Sequence, residues 1–318
     1  MAKEKRPASQ EKFKTSIGGQ ALIEGILMQG PEKTAIVVRG PEGIVTKTEA
    51  LHKRTGALTW PLIRGVVNFG LSMVRGVKAL MYSADFFPEM EEEPSKFDKW
   101  LEEKLGSEKM EKAVISFSVF LGVLFAIGLF FLLPTFIGSL FDKIVYSPVL
   151  RCIVEGIIRV VIFLTYMYLV SKMNDMRRVF SYHGAEHKTI RCYEAGLPLT
   201  VENVRAQTRL HPRCGTSFLF VVIIISIIIS SLFSAIWPID NVFLRMLSRL
   251  VMLPLIVGIS YEFNRMVGAH DNALTRVLSA PGMWFQNFTT FEPDESMIEV
   301  AITALELVLP EEEGSDRW

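Results

Sequence analysis

The chain has 318 residues, half of them hydrophobic, with 34 basic and 34 acidic side chains and a mean hydropathy of +0.31. Zero net charge gives no footing for a nucleic-acid partner, and three cysteines do not make a disulfide framework. The 22 Phe and 14 Met fit a chain that meets lipid, because the apolar residues cluster into long runs.

Residues 1–16 are polar and basic, with no apolar signal core behind them, and read as a disordered tail. Residues 17–56 read as a β-hairpin domain. TAIVVR is β-rich, GPEG is a turn and IVTKTEAL resumes the alternation, while ILMQGP just before them offers a possible third strand. Glu24 is the only acid in the glycine-rich stretch SIGGQALIEGILMQGP. It is either a surface turn acid or a buried acid paired with a base elsewhere.

Residues 57–112 read as interfacial and cytoplasmic helices. Arg64, Arg75 and Lys78 would be costly in mid-span, so the apolar part lies on the inner membrane surface, with an additional span as the alternative. A short helix is expected at Lys96–Leu105, and the acid run Glu91–Glu93 reads as a solvated face.

Four spans follow. Residues 113–133 are 21 without a charge, enough to cross the hydrocarbon. Residues 149–170 carry Arg151, Glu155 and Arg159 at i, i+4 and i+8, which stacks them on one helix face. They form an ion ladder, or else they line a polar conduit or hold an anionic head group. Residues 217–237 are rich in isoleucine, and residues 242–261, with Arg245, Arg249 and Pro254, are the weakest candidate. The intervening segment, 171–213, holds eight Lys or Arg against four acids, so the positive-inside rule puts it and both termini in the cytoplasm. In the C-terminal region, 262–318, a helix is expected up to a Pro-Gly stop, then an aromatic stretch and an amphipathic helix. The fold class is therefore a polytopic α-helical membrane protein of about four transmembrane helices. A small N-terminal β-hairpin-containing domain and cytoplasmic helical elements complete it.

The chemistry concentrates in the cytoplasmic segment 171–216, which holds three of the five histidines and two of the three cysteines. His183 and His187, four apart, share a helix face with Glu186 between them, in the order H-x-x-E-H of the inverzincins. Two neutral imidazoles can hold zinc, and the adjacent carboxylate can act as general base. Gly184 weakens the helix that this requires. The third ligand is His211 or Cys214, from HPRC; all four together would close the site. Cys192 and Glu194 are nearer in sequence, and Glu262 is a further possible third ligand. Two other readings stand beside the metal: a polar network of His, Glu and Arg, and a nucleophilic Cys214 with His211 as its base.

GGQALIEGILMQGP, YHGAEHKTIRCYE, HPRCGTSFL and FEPDESMIEVAITALE, in that order, resemble the YqhQ-like family of uncharacterised bacterial membrane proteins. The resemblance implies a metal-dependent enzyme of the bacterial cytoplasmic membrane and matches Glu24, His183, Glu186, His187, His211 and Cys214 to the family pattern; no substrate comes with it. The expected function is a zinc-dependent hydrolase at the cytoplasmic face. The alternatives are a non-catalytic factor in protein translocation, assembly or envelope maintenance, and then a transporter. The expected partners are the lipid bilayer, anionic lipid or other membrane proteins, and no nucleic acid.

Overall fold

The computed structural model describes residues 13–52, 55–87, 107–270, 272–312 and 314–317. The expected helix Lys96–Leu105, the acid run Glu91–Glu93 and residues 1–12 of the basic tail lie outside these. In chain order the strands are β1 (Gly18–Leu22), β2 (Gly25–Gln29), β3 (Lys33–Gly40) and β4 (Gly43–Ala50). The helices are α1 (Ile63–Ala84), α2 (Ser107–Ile127), α3 (Leu133–Ser139), α4 (Pro148–Val170), α5 (Asn174–Glu194), α6 (Val201–Arg205), α7 (Gly215–Ile236), α8 (Val242–Ala269), α9 (Ala273–Thr289) and α10 (Glu295–Val308). Two compact units form: residues 1–86, 166–225 and 254–318, and residues 87–165 and 226–253.

The first unit is built on a four-stranded antiparallel sheet in the order β1-β2-β3-β4. The hairpin expected from the sequence is its second half, closed by a two-residue loop with Gly40 opposite Gly43. β2 shows no alternation because both of its faces are covered. Ile26 and Met28, with Ala35 and Val37 of β3, pack on Tyr182, Ala185 and Ile190 of α5 and on Val300, Ala304 and Leu305 of α10. Leu27 and Leu22 pack on Ala79 of α1 from the other side. α1 is one continuous helix tied to the sheet, with Gln20 Nε2 donating to Ser72 Oγ at 2.8 Å and Arg75 Nη1 to Gln29 Oε1 at 2.9 Å.

The end of the expected disordered tail is held in place. Phe13 N–H donates to Glu194 O at 3.2 Å, Ser16 N–H donates to Asp316 O at 2.6 Å, and Thr15 is buried. Glu24 combines parts of its two sequence readings: it is a half-buried turn acid, and it is paired with a base. It sits at φ 49° in the turn between β1 and β2, and its carboxylate is gripped by Arg178 and accepts from Tyr182 OH at 3.1 Å. The Pro-Gly stop does not stop a helix, because α9 runs through Pro281. Gly282 is buried against Ser217, where a Cβ would come within 2.7 Å of the serine Cβ. The real boundary is ten residues earlier, where Asn272 and Thr275 form a capping box.

Among the described residues four helices are long and apolar enough to cross a membrane: Val114–Ser139, Pro148–Val170, Gly215–Ile236 and Val242–Ala269. They are the four segments that the apolar runs mark, and they suggest membrane association. α1 is not one of them.

The second unit corrects the expected ion ladder. Glu155 does not pair with its own helix neighbours: its Oε2 accepts from Arg249 Nη2 at 3.1 Å, and Arg245 Nε lies 3.8 Å from Oε1. Arg159 instead donates to Phe130 O at 2.9 Å and Ser226 Oγ at 2.8 Å, and Arg151 reaches Val145 O at 2.8 Å and Asp240 at 3.1 Å. The two arginines that make 242–261 look weak as a span are the partners of the acid that makes 149–170 look weak.

Candidate metal centre

α5 carries His183 and His187 one turn apart, with ring centroids 4.4 Å from each other. Each ring is oriented by a backbone carbonyl brought from elsewhere in the chain. His183 Nδ1 bonds Thr289 O at 2.8 Å, and His187 Nδ1 bonds Arg209 O at 2.6 Å. A carbonyl can only accept, so both Nδ1 atoms donate, and Nε2 is the atom each ring turns toward a metal. His183 Nε2 lies 3.2 Å from Cys214 Sγ, and one donor atom from each of His183, His187 and Cys214 lies within 4.8 Å of the others. Donors at ordinary zinc distances around a tetrahedron are about 3.5 Å apart, so small adjustments bring the three to one centre.

The protonation states match that use. Burial pushes His187 down to about 4, which keeps it neutral. Burial alone would raise Cys214, but His187 and the hydroxyl and N–H of Thr216 outweigh it and bring the thiol below its ordinary range. Neutral imidazole and thiolate are the metal-binding forms.

Gly184 is required here for packing. A Cβ at this position would lie 2.0 Å from Phe291 O, so only glycine lets the segment that follows α9 pass against α5, which brings Thr289 O, at the end of α9, to His183. Glu186 points to the same neighbourhood. Its Oε1 accepts from Gly19 N–H at 2.9 Å, and among the described residues its buried Oε2 has no hydrogen-bond partner. Burial, reinforced by Cys214 and opposed by His183, pushes its carboxyl up to about 7.

His211 and Glu262 do not join the three. His211 Nε2 lies 3.4 Å from Glu194 Oε2, in a cluster with Arg213, and its backbone N–H is fixed by Gln286 Oε1 at 2.8 Å. Burial lowers His211 against the pull of Glu194. Burial opposes ionisation of Glu194, but His211 and Arg213 hold it below the usual carboxylate range. Glu262 is occupied by Arg64, whose Nε donates to Oε1 at 2.7 Å. Of the two candidate third ligands in HPRC, the geometry takes Cys214. Cys192 is buried among Val204 and Ile298, and Glu194 faces His211, so neither enters the group.

Sequence reasoning missed Gln286, whose side chain bonds the backbone of His211 on both sides and also Ser217 Oγ at 3.0 Å. The only signal was a pair of amides, Gln286 and Asn287, inside the aromatic run MWFQNF. It also missed Gly19, which anchors Glu186 from β1.

Residues 60–311 match the family described as "Protein of unknown function (DUF1385)". The chain belongs to the DUF1385 family. It is 32% identical over 308 residues to "Uncharacterized protein YqhQ" of Bacillus subtilis (strain 168), a span covering 95% of this chain and 94% of that protein. No solved structure matches. The three converging donors and both orienting carbonyls lie within the DUF1385 match, whereas Gly19 and Glu24 precede it.

Proposed function

We propose that this chain is a zinc-dependent hydrolase of the bacterial cytoplasmic membrane, with its site and both termini on the cytoplasmic side. The metal would be held by Nε2 of His183, Nε2 of His187 and the Cys214 thiolate. The observation that carries this reading is the pair of Nδ1–H···O=C bonds, because such second contacts fix the tautomer and aim the remaining nitrogen in metal-binding histidines. Zinc held by these three residues would supply Lewis acidity to a substrate oxygen.

Glu186 supplies the proton chemistry in this reading. One of its oxygens is anchored by Gly19 and the other has no partner among the described residues, and a carboxyl near neutrality can take a proton and return it. The test is the purified protein and its variants, each measured for zinc and for complementation of a deletion strain. Glu186→Gln should keep the wild-type zinc content and lose complementation, whereas His187→Ala should lose both. Equal zinc in His187→Ala and wild type would remove the metal centre.

A second reading is favoured by burial: His187 is 1% exposed, Glu186 4% and Cys214 7%. A site so enclosed can serve as a structural pin between α5, the start of α7 and the end of α9. Full complementation by Glu186→Gln with zinc retained would select it.

A further inference from the structure

We infer that the cleft between α1 and the C-terminal end of α8 binds a phosphate ester, with the head group of an anionic lipid as the source that its surroundings favour. The site stands apart from the metal centre and shares no side chain with it. The cleft has a volume of about 490 Å³ and is lined by Arg64, Arg265 and Arg317 with Asn68, Tyr261 and Ser16 among its polar walls. That volume is in the range of small-molecule sites.

Among the described residues the charge is not cancelled locally: Glu262 grips Arg64 and also accepts from Leu62 N–H at 3.3 Å, and no ion pair joins Arg265 or Arg317 to an acid. Asp316, beside Arg317 in the chain, turns its carboxylate to Thr15 Oγ1 at 2.7 Å and Tyr193 OH at 3.0 Å. Arg317 rests over the Phe13 ring at 5.9 Å, and Arg265 is exposed. Convergent guanidiniums with hydroxyl and amide donors are the chemistry that recognises phosphate oxygens. Asn68 Nδ2 donates to Tyr261 OH at 2.7 Å, which fixes the phenol oxygen on the cleft wall.

The entrance to α1 is a built structure. Leu62 adopts φ 67°, and Ile63 N–H donates to Pro61 O at 2.9 Å, closing a tight three-residue γ-turn. The turn lies against Gly258, where a Cβ would come within 2.9 Å of Leu62 O. Backbone strain of this kind persists where the surroundings fix it, as at ligand-binding sites. The neighbouring rim is apolar and exposed: Leu58 is 48% exposed, Trp60 61% and Leu62 39%. Basic groups below an apolar, tryptophan-bearing rim, beside a helix long enough to span, suit a phosphate that carries acyl chains.

The experiment uses the full chain in nanodiscs of phosphatidylcholine with or without phosphatidylglycerol. Retained lipid is counted by native mass spectrometry, and soluble glycerol 3-phosphate is titrated in a parallel arm. Wild type should retain phosphatidylglycerol, and Arg265→Gln/Arg317→Gln should retain it roughly thirtyfold more weakly. The unfolding temperature of the variant in pure phosphatidylcholine should equal that of wild type. Should the double variant fail to fold, Arg265→Gln alone, at an exposed position, should weaken retention roughly fivefold. If glycerol 3-phosphate binds wild type and not the variant while the lipid arm shows no difference, the phosphate site stands and its source is soluble. Equal binding by wild type and variant in both arms overturns the inference.

Discussion

His183 Nε2 stands 3.2 Å from Cys214 Sγ, although 31 positions separate the two in the chain. Cys214, and not His211, shares the cluster of donor atoms with the two histidines, and in the proposed metal centre it would be the third ligand. Cys214→Ser should therefore weaken zinc binding by more than about a hundredfold, beyond the loss from a supporting contact. His211→Ala should leave the zinc content unchanged. Zinc per protein after purification, with competition by a chromophoric chelator, checks both. Loss of zinc in His211→Ala with retention in Cys214→Ser would reverse the assignment.

Gly184→Ala offers a test in which helix propensity and packing predict opposite signs. In an ordinary helix interior the change would stabilise by about 1 kcal/mol. Here the new Cβ meets Phe291 O at 2.0 Å and the segment after α9 must move, at a cost of about 1–3 kcal/mol beyond that gain. The unfolding temperature in detergent should fall. Zinc affinity should fall with it, because Thr289, two residues before Phe291, orients His183.

How far the site was legible follows from these contacts. The pairing of His183 with His187 is a property of one helix, and the 3.6-residue period shows it. The choice between His211 and Cys214 is made by Gln286, 75 residues from His211 and inside an aromatic stretch with no periodic signal of its own. β1 was not visible as a strand because GGQAL has neither alternation nor β-branched residues, and its pairing comes from β2. The partners of Glu155 were hidden for a related reason, since periodicity shows which residues share a face and not which other helix meets it.

The metal-free protein should show a pH dependence that a single substitution exposes. His187 falls from 6.5 to about 4 on folding, so between those values the unfolded chain binds the extra proton and stability rises with pH. Glu186 rises from 4.5 to about 7, so between those values the folded chain binds the extra proton and stability falls with pH. Each effect amounts to about 3 kcal/mol over its window, and from about pH 4.5 to 6.5 they oppose each other. His211, also lowered, adds to the first. Glu186→Gln removes the opposing contribution, so its unfolding temperature should climb more steeply than that of wild type between pH 4.5 and 6.5. Parallel curves for the two proteins would contradict the buried, protonated state of Glu186.

The charges of the second unit give the last test. Glu155 is 2% exposed, and its nearest bases are Arg249 and, more distantly, Arg245. Arg245 has a second acid, Asp142 at 2.8 Å, whereas Arg249 otherwise touches Cys152 Sγ at 3.1 Å. Glu155→Ala therefore strands Arg249 in a buried position and should cost about 3–5 kcal/mol. Glu155→Met with Arg249→Met removes both charges and fills the space with apolar atoms, and should cost markedly less than the single change. Arg151→Ala should cost less, about 1 kcal/mol, since its partner Asp240 is exposed and its second acid, Asp142 at 3.4 Å, keeps Arg245. A double-mutant cycle on unfolding in detergent measures the coupling. Strong coupling of Glu155 to Arg151, with none to Arg249, would restore the ladder along one helix and remove the pairing between α4 and α8.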